Sequence, residues 1–89
     1  MQEIQYSSKF LKQYKKLPSQ IKDLVESKED IFLKNPFDNR LKTHKLHGVL
    51  DGLYAFSINY SYRIIFEFIE VDDKKIVLLH TVGKHDIYQ

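Results

Sequence analysis

The sequence predicts an α+β domain of order β-α-α-β-β-β, with a helix hairpin packed on one face of a mainly antiparallel sheet. Three observations predict it. Two stretches of helical hydrophobic period meet at Pro18. Strict alternation then runs through Tyr54, Phe56, Ile58 and through Tyr62, Ile64, Phe66, Phe68. An apolar run, Ile76-Val77-Leu78-Leu79, lies near the C-terminus. Helical periods that precede a block of strands indicate segregated helices on an antiparallel sheet, because each amphipathic element must bury one face against another layer.

Taken in order, Glu3-Ile4-Gln5-Tyr6 alternates and reads as a first strand. Ser7 or Ser8 caps a helix whose apolar residues are Phe10, Leu11, Tyr14 and Leu17, with four lysines (Lys9, Lys12, Lys15, Lys16) on the opposite side. Pro18 ends it. Ser19 opens a second helix with Ile21, Leu24, Val25, Lys28, Ile31 and Phe32 inward, and Asn35-Pro36 stops it. Lys28 interrupts that apolar stripe, with a stem able to lie along apolar surface. Residues 35–52 are polar and basic and too long for an unstructured connection, which favours a short strand near His44–His47 or a functional loop.

The turn at Asn59-Tyr60-Ser61 pairs Ser57 with Arg63 and gathers the aromatics on one face. Val71-Asp72-Asp73-Lys74 makes the next turn. If Glu70 pairs with Lys75, His80 shares the face of Arg63, and a slip of one residue sends it into the core. On the helix-free side Ile65, Ile69, Ile76 and Leu78 form an apolar patch that calls for cover.

Eighty-nine residues, 43% apolar, form one globular domain spanning 1–89. No cysteine is present, so disulfides and thiolate metal sites are excluded, as suits a cytoplasmic protein. The sequence has neither a secretory signal nor an apolar stretch long enough to cross a membrane. Net charge is only +2, but the cations cluster at residues 9–16 and 40–47, which suits a polyanion. His44 and His47 have no cysteine or nearby carboxylate to complete a metal set, so no metal is expected. Glycine-rich nucleotide loops and G-x-S-x-G elbows are also missing.

What remains is a C-terminal histidine, His85, just after a strand, together with Arg63, lysines, tyrosines and no cofactor. Arg63 in a strand has either a partner (Glu67, Glu70 or Asp86) or a job. Those residue types suit RNA scission through the 2′-hydroxyl. Histidine trades the protons, arginine grips the phosphate and a tyrosine stacks an unpaired base.

Four segments in this order carry a resemblance: Phe10–Pro18, Lys45-Leu46-His47-Gly48-Val49-Leu50-Asp51-Gly52-Leu53-Tyr54, Tyr62-Arg63-Ile64-Ile65-Phe66 and Gly83-Lys84-His85-Asp86-Ile87-Tyr88. Together they resemble the RelE/ParE superfamily of type II toxins, and within it the RelE- and YafQ-like mRNA interferases. The resemblance implies the fold above and a metal-independent endoribonuclease acting on mRNA in the ribosomal A site. It also implies a cognate antitoxin as partner, with operator DNA reached only through the antitoxin complex.

By position, His85 matches the C-terminal catalytic histidine, Arg63 the strand arginine at the scissile phosphate, and His44 the assisting loop histidine. Lys42 and Lys45 sit in a region where RelE-like toxins place phosphate-binding lysines, with the correspondence open between the two. Lys84 in the tail is a further substrate-binding candidate, and Tyr88 resembles the terminal aromatic, although it follows the histidine by three residues where four is usual. The acidic and histidine residues that YafQ-like toxins carry before the arginine are replaced by Ala55, Ser57 and Ser61, leaving acid and base unassigned. ParE-like relatives bind DNA gyrase instead, without nuclease chemistry, and a degenerate toxin serving mainly in a repressor complex is a third reading.

Overall fold

A computed structural model describes residues 3–84. Strand β1 (Glu3–Tyr6) leads into helices α1 (Ser8–Lys15) and α2 (Ser19–Lys34). A basic connection then holds a 3-10 turn (Asn39–Leu41), a two-residue strand β2 (His44–Lys45) and a second 3-10 turn (Gly48–Leu50). Strands β3 (Tyr54–Ser57), β4 (Tyr62–Val71) and β5 (Lys74–Lys84) complete a five-stranded sheet of order β1-β5-β4-β3-β2. Only β1 and β5 run parallel; the other neighbouring pairs are antiparallel. The short strand at His44 answers the question left by the long connection, and it adds a fifth strand to the predicted order.

The aromatic face is the one the helices cover. Phe32 of α2 lies against Phe56 and Phe66 with ring centroids 4.8 and 4.9 Å away. Phe10, Val25, Leu41, Ile58, Ile64, Val77, Leu79 and Val82 complete the buried core. Leu11, expected inward, is 49% exposed, because on the short α1 the stripe through Phe10 and Tyr14 already fills the contact with the sheet.

Both hairpin registers follow the sequence reading: Ser57 pairs with Arg63 and Glu70 with Lys75. Asp72 and Asp73 both have positive φ (51° and 66°), a two-residue turn whose twist matches its strands. Further along β5 a bulge intervenes. Phe66 pairs with Leu79 but Ile65 with Thr81, so His80 is the extra residue. It lies on the Arg63 face, its Nε2 3.1 Å from Glu67 Oε1. The bulge also turns both Leu79 and Val82 into the core, which an uninterrupted strand does not allow.

Helix α1 satisfies the backbone that β1 leaves free beyond Tyr6. Ser7 N donates to Leu79 O (3.0 Å), Ser7 Oγ donates to His80 O (2.7 Å), and Val82 N donates to Gln13 Oε1 (2.9 Å). Ser7 Oγ also accepts from Phe10 N at 2.9 Å, so Ser7 is the cap. Ser7→Ala is expected to cost about 1–2 kcal/mol, since it removes a cap and strands a part-buried carbonyl. Denaturant unfolding checks this: the midpoint should fall with an unchanged slope.

The helix-free face is less open than the sequence suggested. The segment from Leu46 to Leu53 folds back on it, closed by Leu46 N donating to Leu53 O at 2.9 Å. Gly48 and Gly52, with φ of 71° and 93°, permit that reversal. Leu46, Leu50 and Leu53 thereby cover Ala55 and Ile65 in a second cluster. Ile65 and Ile76 are 3% and 2% exposed, so they do not belong to an exposed patch; Ile69 and Leu78 are partly exposed.

Candidate functional site

Arg63 is held from three sides. It stands between Ser57 on β3 and Gly83 on β5. Its Nη1 donates to the carbonyls of Asn59 (2.6 Å), Tyr60 (3.3 Å) and Tyr62 (3.2 Å). The turn that supplies those carbonyls is itself fixed, because Asn59 Oδ1 accepts from Ser61 N (2.9 Å) and Tyr62 N (2.8 Å). Anchoring through Nη1 leaves the Nε and Nη2 edge of the guanidinium without a hydrogen-bond partner among the described residues. That edge is the pair of donors that matches two oxygens of a phosphate or carboxylate. Glu67 faces His80 instead, and no carboxylate among the described residues pairs with Arg63.

Around Arg63 opens a cleft of about 390 Å³, lined on one side by Ser57, Ile58, Asn59 and Tyr60 and on the other by Lys28, Arg40 and Lys42. Helix α2 contributes Lys28. Its break in the apolar stripe is the mark of a residue at the edge of the helix–sheet contact. Lys42 enters from the basic connection with a left-handed backbone (φ 54°) just after the first 3-10 turn. Arg40 is bridged to Asp38 through Nε and Nη2, both at 3.0 Å, and those bonds hold the Asp38 carboxyl down at about 2. Four cations thus line the cleft, and one has its charge offset by a neighbour. The result is a cationic hollow.

The remaining sequence candidates are spread around it. His44 is exposed in β2, with Nδ1 3.1 Å from Lys42 O, a contact that ties its ring to the Lys42 backbone. Lys45, its neighbour, faces the other way and lines a smaller hollow with Asp51, Gly52, Leu53 and Tyr54. Lys84 pairs with Tyr62, its Nζ 6.0 Å from the centre of that ring, next to the Gly83–Arg63 pair. His85 and Tyr88 lie outside the described residues, as does Asp86. The structure brings Lys42 and Arg63 together with Ser57 and Asn59, which the sequence places on the face of Arg63, and adds Lys28, Arg40 and Tyr60, which sequence reasoning had not assigned to the site. An inward-facing lysine on α2 and an aromatic in a tight turn were the signals for two of them.

A second hollow, between α1 and α2, sets Glu26 and Glu29 among aromatic and aliphatic side chains. Tyr6 Oη donates to Glu29 Oε1 at 2.6 Å, and burial raises the pKa values of both groups. Among the described residues no group of three His, Asp or Glu side chains is positioned to hold a metal, and no helix is long and apolar enough to cross a membrane.

Fold and cleft together define a small α+β domain with a cationic cleft at the β3–β4 turn end of its sheet. No protein-family model and no curated protein sequence matches the chain. Solved structures do. YafQ from E. coli strain BL21(DE3) superposes with a TM-score of 0.76 at 18% identity, covering 98% of this chain and 97% of its own. The YoeB/ParE toxin from Agrobacterium tumefaciens gives 0.76 at 12% identity, with 93% and 98% covered. The toxin–antitoxin complex RelBE2 from Mycobacterium tuberculosis gives 0.73 at 18% identity, with 94% and 98% covered. The chain has the RelE/YafQ-like toxin fold.

Proposed function

We propose that this chain is the toxin of a type II toxin–antitoxin pair and that it cuts messenger RNA in the ribosomal A site. The observation that carries the reading is the cationic cleft around Arg63, whose guanidinium is anchored through Nη1 while its Nε and Nη2 edge has no hydrogen-bond partner among the described residues. The shared fold with YafQ and with the toxin of RelBE2 supports it.

In the proposed reaction the 2′-hydroxyl gives its proton to a base and its oxygen attacks the adjacent phosphorus. The bond to the 5′-oxygen breaks as an acid protonates that oxygen, leaving a 2′,3′-cyclic phosphate and a 5′-hydroxyl. Arg63, with Lys42 beside it, stabilises the charge that builds on the phosphate oxygens. His85 stands two positions after Gly83, the partner of Arg63, and is assigned proton transfer with His44 assisting. Lys45 and Lys84 hold flanking phosphates and Tyr88 stacks on a base. No metal or cofactor enters this scheme. The partners are mRNA on the ribosome and an antitoxin whose acidic segment neutralises the cleft, with operator DNA contacted through the antitoxin complex. The site of action is the cytoplasm.

The test is to induce the chain without antitoxin and map new 5′ ends on one message in translated and start-codon-less forms. Cuts confined to the translated form, and lost in His85→Ala, are expected. Growth arrest with intact message and inhibited gyrase supercoiling favours the ParE-like alternative, and no arrest at all favours a repressor-only role.

A further inference from the structure

We propose that Tyr60 is a base-stacking platform that makes the cleft selective for single-stranded RNA, an inference that rests on the ribonuclease reading above. Tyr60 is 94% exposed, the most exposed aromatic among the described residues, and it lines the same cleft as Arg63, Lys28 and Lys42. Its backbone is nevertheless fixed. Its carbonyl accepts from Arg63 Nη1 at 3.3 Å, and Asn59 Oδ1 ties the two amides that follow. No aromatic ring among the described residues packs against it.

A bulky aromatic held in water on a rigid turn gains nothing for the fold, since the hairpin register is already set by the Ile58–Tyr62 and Ser57–Arg63 pairing. Beside fixed cations it has the form of a single-strand site, in which the cations take the backbone and the ring takes a base. Lys28 and Lys42 grip phosphates regardless of sequence, whereas the ring demands a base free of its stack. Duplex RNA offers no such base. The Arg63–Tyr60 contact also couples the two functions, because the residue gripping the phosphate fixes the turn that presents the ring.

The experiment is anisotropy titration of short fluorescent 2′-O-methyl oligonucleotides, which cannot be cut, at fixed low salt with the full chain. Tyr60→Ala should weaken single-strand binding about tenfold, Tyr60→Trp should retain it, and duplex binding should not change. An oligonucleotide with one abasic position should show no further loss with Tyr60→Ala when the missing base is the stacked one. Lys28→Gln should weaken single strand and duplex alike and lower the salt slope. If Tyr60→Ala binds single strands as wild type does while Lys42→Ala and Arg63→Ala lose affinity, the stacking role is overturned and the RNA site stands. If the wild-type chain binds neither oligonucleotide, the stacking role is overturned, whereas the ribosome-dependent reading is decided separately by the map of new 5′ ends. Exposure of Tyr60 makes misfolding of its variants an unsuitable explanation, and an unchanged melting temperature confirms that.

Discussion

Arg63→Ala is expected to lower cleavage of a translated message by about 10²–10³-fold, the loss typical when a fixed donor to a developing oxyanion is removed. Two roles of Arg63 are lost together and can be separated. One is the Nε and Nη2 edge, unpaired among the described residues; the other is the Nη1 anchor to the carbonyls of Asn59, Tyr60 and Tyr62. Losing the anchor should cost only about 1 kcal/mol, because the site is half-exposed and water replaces the donor. Melting should therefore drop by only about 4–8 °C in a domain of this size. Arg63→Lys keeps the charge without the planar fork and should recover little activity. Cleavage rates in a translation extract, at matched concentrations of folded protein, decide it. A variant without Arg63 that cuts at the wild-type rate removes this cleft from the chemistry.

The part of this site that the sequence disclosed was the part governed by period-two alternation. Ser57 opposite Arg63 and Glu70 opposite Lys75 follow from aromatic residues that must share one face, and a slip of one residue exposes all of them. The His80 bulge was not legible. It is set by what α1 offers the free edge of β5, namely Ser7 and Gln13, more than sixty positions away in sequence. The cover over Ile65 was hidden for a similar reason: Leu46, Leu50 and Leu53 show no single period, and their return depends on two positive-φ glycines. Lys28 and Lys42 meet across the cleft because α2 and the basic connection pack at one sheet end. Each lysine read alone is an ordinary surface charge. Tertiary proximity makes them a site, and a periodicity argument contains no term for it.

Phe32→Ala is expected to have the largest effect on stability. Phe32 is fully buried, stacked on Phe56 at 4.8 Å and edge-on to Phe66 at 4.9 Å, and it is the main contact that seats α2 on the aromatic face. Removing a buried phenyl ring costs about 3–5 kcal/mol, partly lost transfer energy and partly the cavity left behind. Domains of this size are stable by only about 5–15 kcal/mol, so most of a modest reserve goes. The guanidinium midpoint should fall steeply, with the slope unchanged if the variant still unfolds in one step. Leu11→Ala is the matched control, because Leu11 lies on the other helix at 49% exposure and should cost under about 1 kcal/mol. The same comparison bears on the cleft. Lys28 lies one helical turn before Phe32 on α2, so loosening this helix also displaces a cation from beside Arg63. Phe32→Ala should thus weaken RNA binding even at temperatures where the chain remains folded, and Leu11→Ala should not. Equal losses in the two variants would mean that α2 is not seated by Phe32 and that the cleft does not depend on this helix.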